Sequence, residues 1–280
     1  MNTIDVDSLF RTYDGLLIDA YGVLVDAHGM LPNADKFVAR LHREQMPFCI
    51  VTNDAAKAIA RIHQRFASFG LDIGPERIVS SASLLGDHVR GHALKGQQVA
   101  VIGTPDAHAF VAEAGAEPVR PEDASAERCR AIILCEIDSA RMYDDLSAAV
   151  NLAIGCLDRK QPLGLVLCNP DVIYPAGAGF GLTSGSLMLV LEGALRSRFG
   201  RQAMPPIARL GKPFRPIFEA GMARIGGGKV ALLGDQLPTD IRGALDFGID
   251  AVLVGTGLTQ VHPGQTLEPM PTAYLPAVGG

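Results

Sequence analysis

The chain has 280 residues, 48% of them hydrophobic and 20% charged, with a net charge of −5. That length suits one large domain or two smaller ones, and the composition is that of an ordinary cored protein. The charges are scattered, which excludes a basic nucleic-acid footprint and a polybasic membrane patch.

No apolar run approaches the roughly 20 residues of a membrane helix. Residues 1–14 lack a basic-then-apolar leader pattern. The five cysteines (Cys49, Cys129, Cys135, Cys156, Cys168) are irregularly spaced and form no Cys-x-x-Cys pair. They are expected as buried free thiols in a reducing cytoplasm.

Short apolar runs alternate with longer amphipathic stretches, a pattern of parallel β/α units. Leu16-Leu17-Ile18 predicts a strand that ends at Asp19. Residues 32–44 predict a helix with Ala34, Phe37, Val38 and Leu41 on one face. A strand over 48–51 ends at Thr52-Asn53, a helix follows over 55–69, and a short strand over 78–80. Three strand–helix units come next. Strands over 98–102, 131–135 and 163–168 are followed by helices over 106–114, 142–154 and 186–198. These units are expected to build a small sheet of their own. A strand over 229–233 then ends at Gly234-Asp235, followed by a helix over 239–247 and a last strand over 251–254. Residues 263–280, rich in Pro and Gly, predict an irregular tail. Boundaries are expected near Ser81 and near Pro205-Pro206.

Polar residues gather just past the carboxyl ends of these strands, where open α/β sheets bind ligands. They are Asp19, Thr52, Asn53 and Asp235, with Asp240 opening the next helix and Lys212 upstream in Leu210-Gly211-Lys212-Pro213. Three carboxylates, an ammonium and a hydroxyl at one edge form a coherent phosphate site. Carboxylates hold Mg²⁺ by hard oxygen ligation, and the metal and Lys212 offset charge on phosphoryl oxygens. Asp19 suits a nucleophile, because a carboxylate of ordinary pKa near 3.9 is ionised at neutral pH without a base. Each residue also has a plainer reading. Asp19, Asp235, Thr52 and Asn53 could cap helices or form turns, Asp240 could favour a helix dipole, and Lys212 could be solvated.

Four segments occur in order: Asp19-Ala20-Tyr21-Gly22-Val23-Leu24, Val51-Thr52-Asn53, Gly211-Lys212-Pro213 and Gly234-Asp235-Gln236-Leu237-Pro238-Thr239-Asp240. Together they resemble the signature motifs of the haloacid dehalogenase superfamily. The long insertion between the second and third motifs resembles its class IIA branch of nitrophenyl-phosphatases, phosphoglycolate phosphatases and pyridoxal-phosphate phosphatases. Cys168-Asn169-Pro170-Asp171 and Gly185-Ser186-Leu187 resemble that branch's cap. The resemblance implies a doubly wound, Rossmann-like parallel α/β core over 1–80 and 206–280, with an inserted α/β cap over 81–205 that closes over the nucleophile. It implies Asp19 as nucleophile and metal ligand, and Tyr21 giving its backbone carbonyl to Mg²⁺. Asp235 would bind the metal directly and Asp240 would support it. Thr52, Asn53 and Lys212 would hold the phosphoryl group, and Asn169 would contact the substrate. A small phosphorylated metabolite is the expected substrate, and a homodimer through the cap is compatible with the family.

Phosphatases of this superfamily usually carry a second Asp two residues after the nucleophile as general acid and base; here that position is Tyr21. Tyr21 either packs as an aromatic wall or assists with its hydroxyl, a weak acid of ordinary pKa near 10. Asp54 is either a substitute acid or a turn former. The alternative readings are a metal-independent 2-haloacid dehalogenase and a catalytically weak phospho-ligand binder. The dehalogenases share the Asp-Ala-Tyr-Gly opening but place the cap earlier and lack the intact Gly-Asp-x-x-x-x-Asp segment.

Other patterns carry less. Gly177-Ala178-Gly179-Phe180-Gly181 does not directly follow a strand, so it reads as a flexible cap loop rather than a dinucleotide loop. Thr183-Ser184-Gly185-Ser186 lacks a nucleophile elbow. The seven histidines are read as surface or packing residues without paired metal spacing.

Overall fold

The structure, a computed structural model, describes residues 2–137, 140–176, 179–262 and 264–279. It divides into two compact units. The first comprises Met1–Thr52, Ile59–Ser80 and Lys212–Gly280, and the second Asn53–Ala58 and Ser81–Gly211.

The first unit is built on a six-stranded parallel sheet. Its order is Ala273–Leu275, Asp250–Val254, Val230–Gly234, Gly15–Ile18, Phe48–Thr52, Ile78–Ser80. Gly15–Ile18, Phe48–Thr52 and Val230–Gly234 are wholly buried apolar runs. Such continuous runs, rather than alternating ones, are what a parallel sheet covered on both faces requires. Gly15–Ile18 is flanked by Val230–Gly234 on one side and Phe48–Thr52 on the other. Chain order therefore reverses around it, and the carboxyl ends of these three strands share one edge. The helix Ala34–Arg43 buries Ala34, Phe37, Val38 and Leu41, the four residues its periodicity predicted.

The structure departs from expectation at several elements. The helix expected from residue 55 starts at Ile59. Side-chain acceptors take the preceding backbone donors: Ala56 N donates to Asp54 Oδ1 at 2.9 Å and Ala58 N to Asp106 Oδ2 at 2.8 Å. The helix Arg215–Ile225, absent from the sequence reading, has Pro216 in its first turn and ends on Gly226 at φ 87°. The expected irregular tail contains the strand Ala273–Leu275, which pairs in parallel with Asp250–Val254. It is an edge strand, where flanking prolines cost no ladder hydrogen bond.

The second unit has a five-stranded parallel sheet ordered Ile207–Arg209, Gly164–Leu167, Cys129–Leu134, Gln98–Ile102, Glu117–Val119. The three predicted strands form its centre. The two edge strands have three residues each and no apolar run of their own. Ile207–Arg209 lies past the boundary expected at Pro205-Pro206, because it pairs with Gly164–Leu167. Leu152, Ala153 and Cys156 of the helix Met142–Asp158 pack with Leu187, Met188 and Leu191 of Ser184–Phe199 over this sheet. Gly179, Phe180 and Gly181 of the glycine-rich segment expected as a loop lie instead in a strand, Gly179–Leu182, which pairs antiparallel with Ile173–Ala176. Gly177 and Ala178 themselves lie outside the described residues. All five cysteines are free and buried. Among the described residues no helix is long and apolar enough to cross a membrane.

Candidate active site

Asp19 is the first residue after Gly15–Ile18, and its N–H donates to Leu233 O at 2.8 Å. Ile18 stands in register with Ile50 on one side and Leu233 on the other. Asp19, Thr52 and Asp235 therefore leave the sheet at the same edge. Asp19, Thr52, Lys212, Asp235 and Asp240 are all buried, between 0 and 4% exposed.

Lys212 is the centre of this group. Its Nζ donates to Asp19 Oδ1 at 2.5 Å and lies 2.7 Å from Asp240 Oδ1. Asp240 Oδ2 accepts from the N–H groups of Asp235 at 3.2 Å and Gln236 at 3.1 Å. That carboxylate sits in the π-helical turn Leu237–Ile241, which joins Val230–Gly234 to the helix Arg242–Phe247. Asp235 Oδ2 accepts from Leu258 N at 2.6 Å, in the loop after the strand Asp250–Val254. The strand-end loops are pressed close here. Gly22, at φ 77°, faces the Asp235 side chain, and any Cβ at Gly22 or Gly257 would collide with its carboxylate.

The electrostatics are unbalanced. One carboxylate oxygen each of Asp19, Asp235 and Asp240 fit within 4.8 Å of one another, against the single ammonium of Lys212. Burial raises the Asp19 carboxyl well above its ordinary range; Lys212 opposes this and Asp240 and Asp235 add to it. Burial, and then Asp240, push Asp235 up to about 7. Burial alone would lower Lys212, but Asp19 and Asp240 hold it above its ordinary range. Among the described residues, the buried Oδ1 of Asp235 has no hydrogen-bond partner. A buried carboxylate oxygen left bare in an acidic cluster is costly unless something compensates it. The all-oxygen donor set and this bare atom fit a hard divalent cation.

Tyr21 is half-buried and packs against the apolar core, with the Arg65 guanidinium 5.5 Å from its ring centroid. Asp54 accepts from Ala56 N and pairs with Lys57 at 2.9 Å, the geometry of a turn former. Asn53 and Asn169 belong to the second unit. There Asn53 Nδ2 donates to Asp171 Oδ1 at 3.2 Å, and Asp171 N donates to Asn169 Oδ1 at 3.0 Å. Ser184 Oγ reaches the carbonyls of Cys135 at 2.9 Å and Asn169 at 3.1 Å.

Thus Asp19, Lys212, Asp235 and Asp240 are in contact, Thr52 ends a strand at their edge, and Asn53 and Asn169 converge on Asp171. The sequence reading missed Leu258, Asp171 and Ser184. Only Asp171 carried a signal, its place in Asn169-Pro170-Asp171. One histidine reading is corrected. His88 and His92 are four residues apart at the end of the helix Leu85–Gly91, and their rings stack at 4.0 Å.

A parallel α/β sheet with buried carboxylates and a lysine at its carboxyl edge, interrupted by a long α/β insertion, defines the class: hydrolases on a Rossmann-like core with an inserted unit. The chain belongs to the haloacid dehalogenase-like hydrolases. The family model described as haloacid dehalogenase-like hydrolase matches residues 16–117, and a second HAD-hydrolase-like model matches 209–279. A 5'-nucleotidase of Bacillus subtilis is 25% identical over 89% of this chain and 90% of its own. An acid sugar phosphatase of Staphylococcus haemolyticus is 24% identical over 94% of this chain and 92% of its own. Among solved structures, a possible sugar phosphatase of the HAD superfamily from Cytophaga hutchinsonii superposes with TM-score 0.81. It is 25% identical and covers 99% of this chain and 98% of that one. A glycerol phosphate phosphatase from Mycobacterium tuberculosis, in complex with magnesium, gives TM-score 0.73 at 25% identity, over 92% of this chain and 71% of that one.

Proposed function

We propose that the protein is a Mg²⁺-dependent phosphoric monoester hydrolase for a small phosphorylated metabolite, with Asp19 as covalent nucleophile. The observation that carries this reading is the buried contact of Asp19 with Lys212 beside Asp235 and Asp240. The phosphatase names of the relatives support the reaction class.

Asp19 and Asp235 would hold the cation, Tyr21 contributing its backbone carbonyl and Asp240 supporting from behind. The cation, when bound, offsets the charge of the phosphoryl oxygens. Lys212 fixes Oδ1 of Asp19 and leaves the other oxygen to attack phosphorus. The bond to the leaving oxygen breaks and an aspartyl-phosphate forms on Asp19. Water then attacks that phosphorus, phosphate leaves and the Asp19 carboxylate is regenerated. Thr52 and Asn53 donate to the phosphoryl oxygens. The second unit is assigned as the cap, with Asn169 contacting the substrate.

Tyr21 packs against the core and brings no carboxyl, so the leaving group receives little proton transfer from this position. The relatives' names point to sugar phosphates, nucleoside monophosphates and glycerol phosphate as the first compounds to assay. The test is a panel of these with nitrophenyl phosphate, each with Mg²⁺ and with chelator. Turnover only with Mg²⁺ supports the reading. Turnover of 2-haloacids in chelator would replace it with the dehalogenase reading, and binding without turnover with the weak-binder reading.

A further inference from the structure

We propose that Cys135 and Cys168 are an oxidisable dithiol in the second unit, one that a hydroperoxide converts to an intramolecular disulfide.

The two sulfurs lie 3.3 Å apart, and both residues are fully buried. Their placement follows from the sheet. Leu134 stands opposite Leu167 on the neighbouring parallel strand, and each cysteine is the next residue along. Cys168 N donates to Leu134 O at 2.9 Å, which keeps the strand ends in register. Adjacent strands run about 4.8 Å apart, inside the Cα separation of about 4.4–6.8 Å that a disulfide spans. The sulfurs must close to about 2.05 Å, a movement that side-chain rotation and a small shift of the two strand ends supply together.

The remaining cysteines are arranged differently. The thiols of Cys49, Cys129 and Cys156 point at backbone carbonyls, those of Ile50, Ala131 and Ala126. Cys135 and Cys168 differ in having sulfur within hydrogen-bonding distance of sulfur. A thiol packed as a small hydrophobe needs no such partner.

In the oxidation one thiol attacks the hydroperoxide, the O–O bond breaks, and a sulfenic acid forms with release of water or an alcohol. The second sulfur attacks the sulfenic sulfur, the S–S bond forms and the S–O bond breaks. Water leaves with the second thiol's proton. The pair loses two electrons and the peroxide gains them. Burial pushes the Cys168 thiol well above the ordinary range, with Cys135 adding to it. The reaction is therefore slow and the dithiol is the resting form.

The bond would tie together the two strand ends beneath the proposed substrate loop. Cys135 leads into Glu136 and Cys168 into Asn169, while Ser184 Oγ reaches the carbonyls of Cys135 and Asn169. Drawing the sulfurs together displaces Asn169 and Asp171, and Asp171 is the acceptor for Asn53 Nδ2. Resting on the proposed function, this lowers kcat by about tenfold, the scale of a sub-ångström misplacement of a binding group.

The full chain is treated with hydrogen peroxide and digested without reduction for peptide mass mapping. The expected product is a linked pair of peptides carrying Cys135 and Cys168, reversed by dithiothreitol and absent from Cys168→Ala. Free thiols at both positions, separate sulfinic acids, or links to other cysteines would overturn the proposal. This mapping needs no substrate, so its outcome is independent of the assigned reaction. Activity toward the substrate found by the panel is read in parallel. A reversible loss in the wild type, and none in Cys168→Ala, supports the coupling to Asn53. A disulfide formed with kcat unchanged would overturn that coupling.

Discussion

Lys212 Nζ and Asp19 Oδ1 lie 2.5 Å apart, and the two residues are 2% and 4% exposed. The same ammonium is 2.7 Å from Asp240, so one lysine serves two buried carboxylates. Removing it leaves both uncompensated. Lys212→Met should destabilise the metal-free protein by about 3–5 kcal/mol, the usual cost of breaking a buried pair from one side. Urea unfolding in chelator measures this, and a loss below about 1 kcal/mol would place Lys212 among ordinary surface lysines.

Asp235 supplies a pH signature. Its folded pKa, about 7, is above its unfolded value of 3.8. The native state therefore binds more protons than the unfolded chain between those values. Stability from this group is present below the unfolded pKa and is lost as pH rises through about 7. In chelator the wild type should lose stability from about pH 4 to 7 relative to Asp235→Asn. Mg²⁺ should cancel that loss, because a cation replaces the proton. Thermal unfolding across pH, with and without Mg²⁺, reads this directly; a wild type that gains stability over the variant with rising pH contradicts it.

The bare Oδ1 of Asp235 predicts a metal requirement. Activity should vanish in EDTA and return with Mg²⁺, and Asp235→Ala should raise the concentration needed for half-maximal rate by at least about tenfold. Full activity in chelator would remove the metal from the account.

Tyr21 makes the leaving group decisive. Nitrophenyl and acyl phosphates leave as weakly basic anions, whereas alkyl phosphates leave as strongly basic alkoxides. Wild-type rates should fall steeply with leaving-group pKa. Tyr21→Asp should speed alkyl phosphates selectively, by up to about 10²-fold. A flat wild-type series would mean that another residue already supplies the proton. Uniform slowing in Tyr21→Asp would mean that its packing against the core and Arg65 is what the site needs.

The central elements were legible in the sequence for a physical reason. A parallel strand covered on both faces is a continuous apolar run, so Leu16-Leu17-Ile18, Phe48–Thr52 and Val230–Gly234 announce both themselves and the polar residues at their ends. The edge strands Glu117–Val119, Ile207–Arg209 and Ala273–Leu275 have three residues each and exist because a neighbour offers a free edge. Nothing local encodes that. The partners of site residues are equally non-local: Asp171 meets Asn53 across 118 positions and Leu258 meets Asp235 across 23. The pair His88 and His92 was readable from its spacing on a helix, but that helix carries too short an apolar pattern to be expected.

The most direct test is to trap the covalent intermediate. The wild type and Asp19→Asn are mixed with a phosphomonoester substrate and Mg²⁺, quenched in acid within one turnover and mapped by peptide mass. The expected result is a phosphoryl group on the wild-type peptide carrying Asp19, no such adduct in Asp19→Asn, and a fall in turnover of about 10³-fold or more in that variant. Substantial turnover by Asp19→Asn, or a phosphoryl group on a different residue, would contradict it.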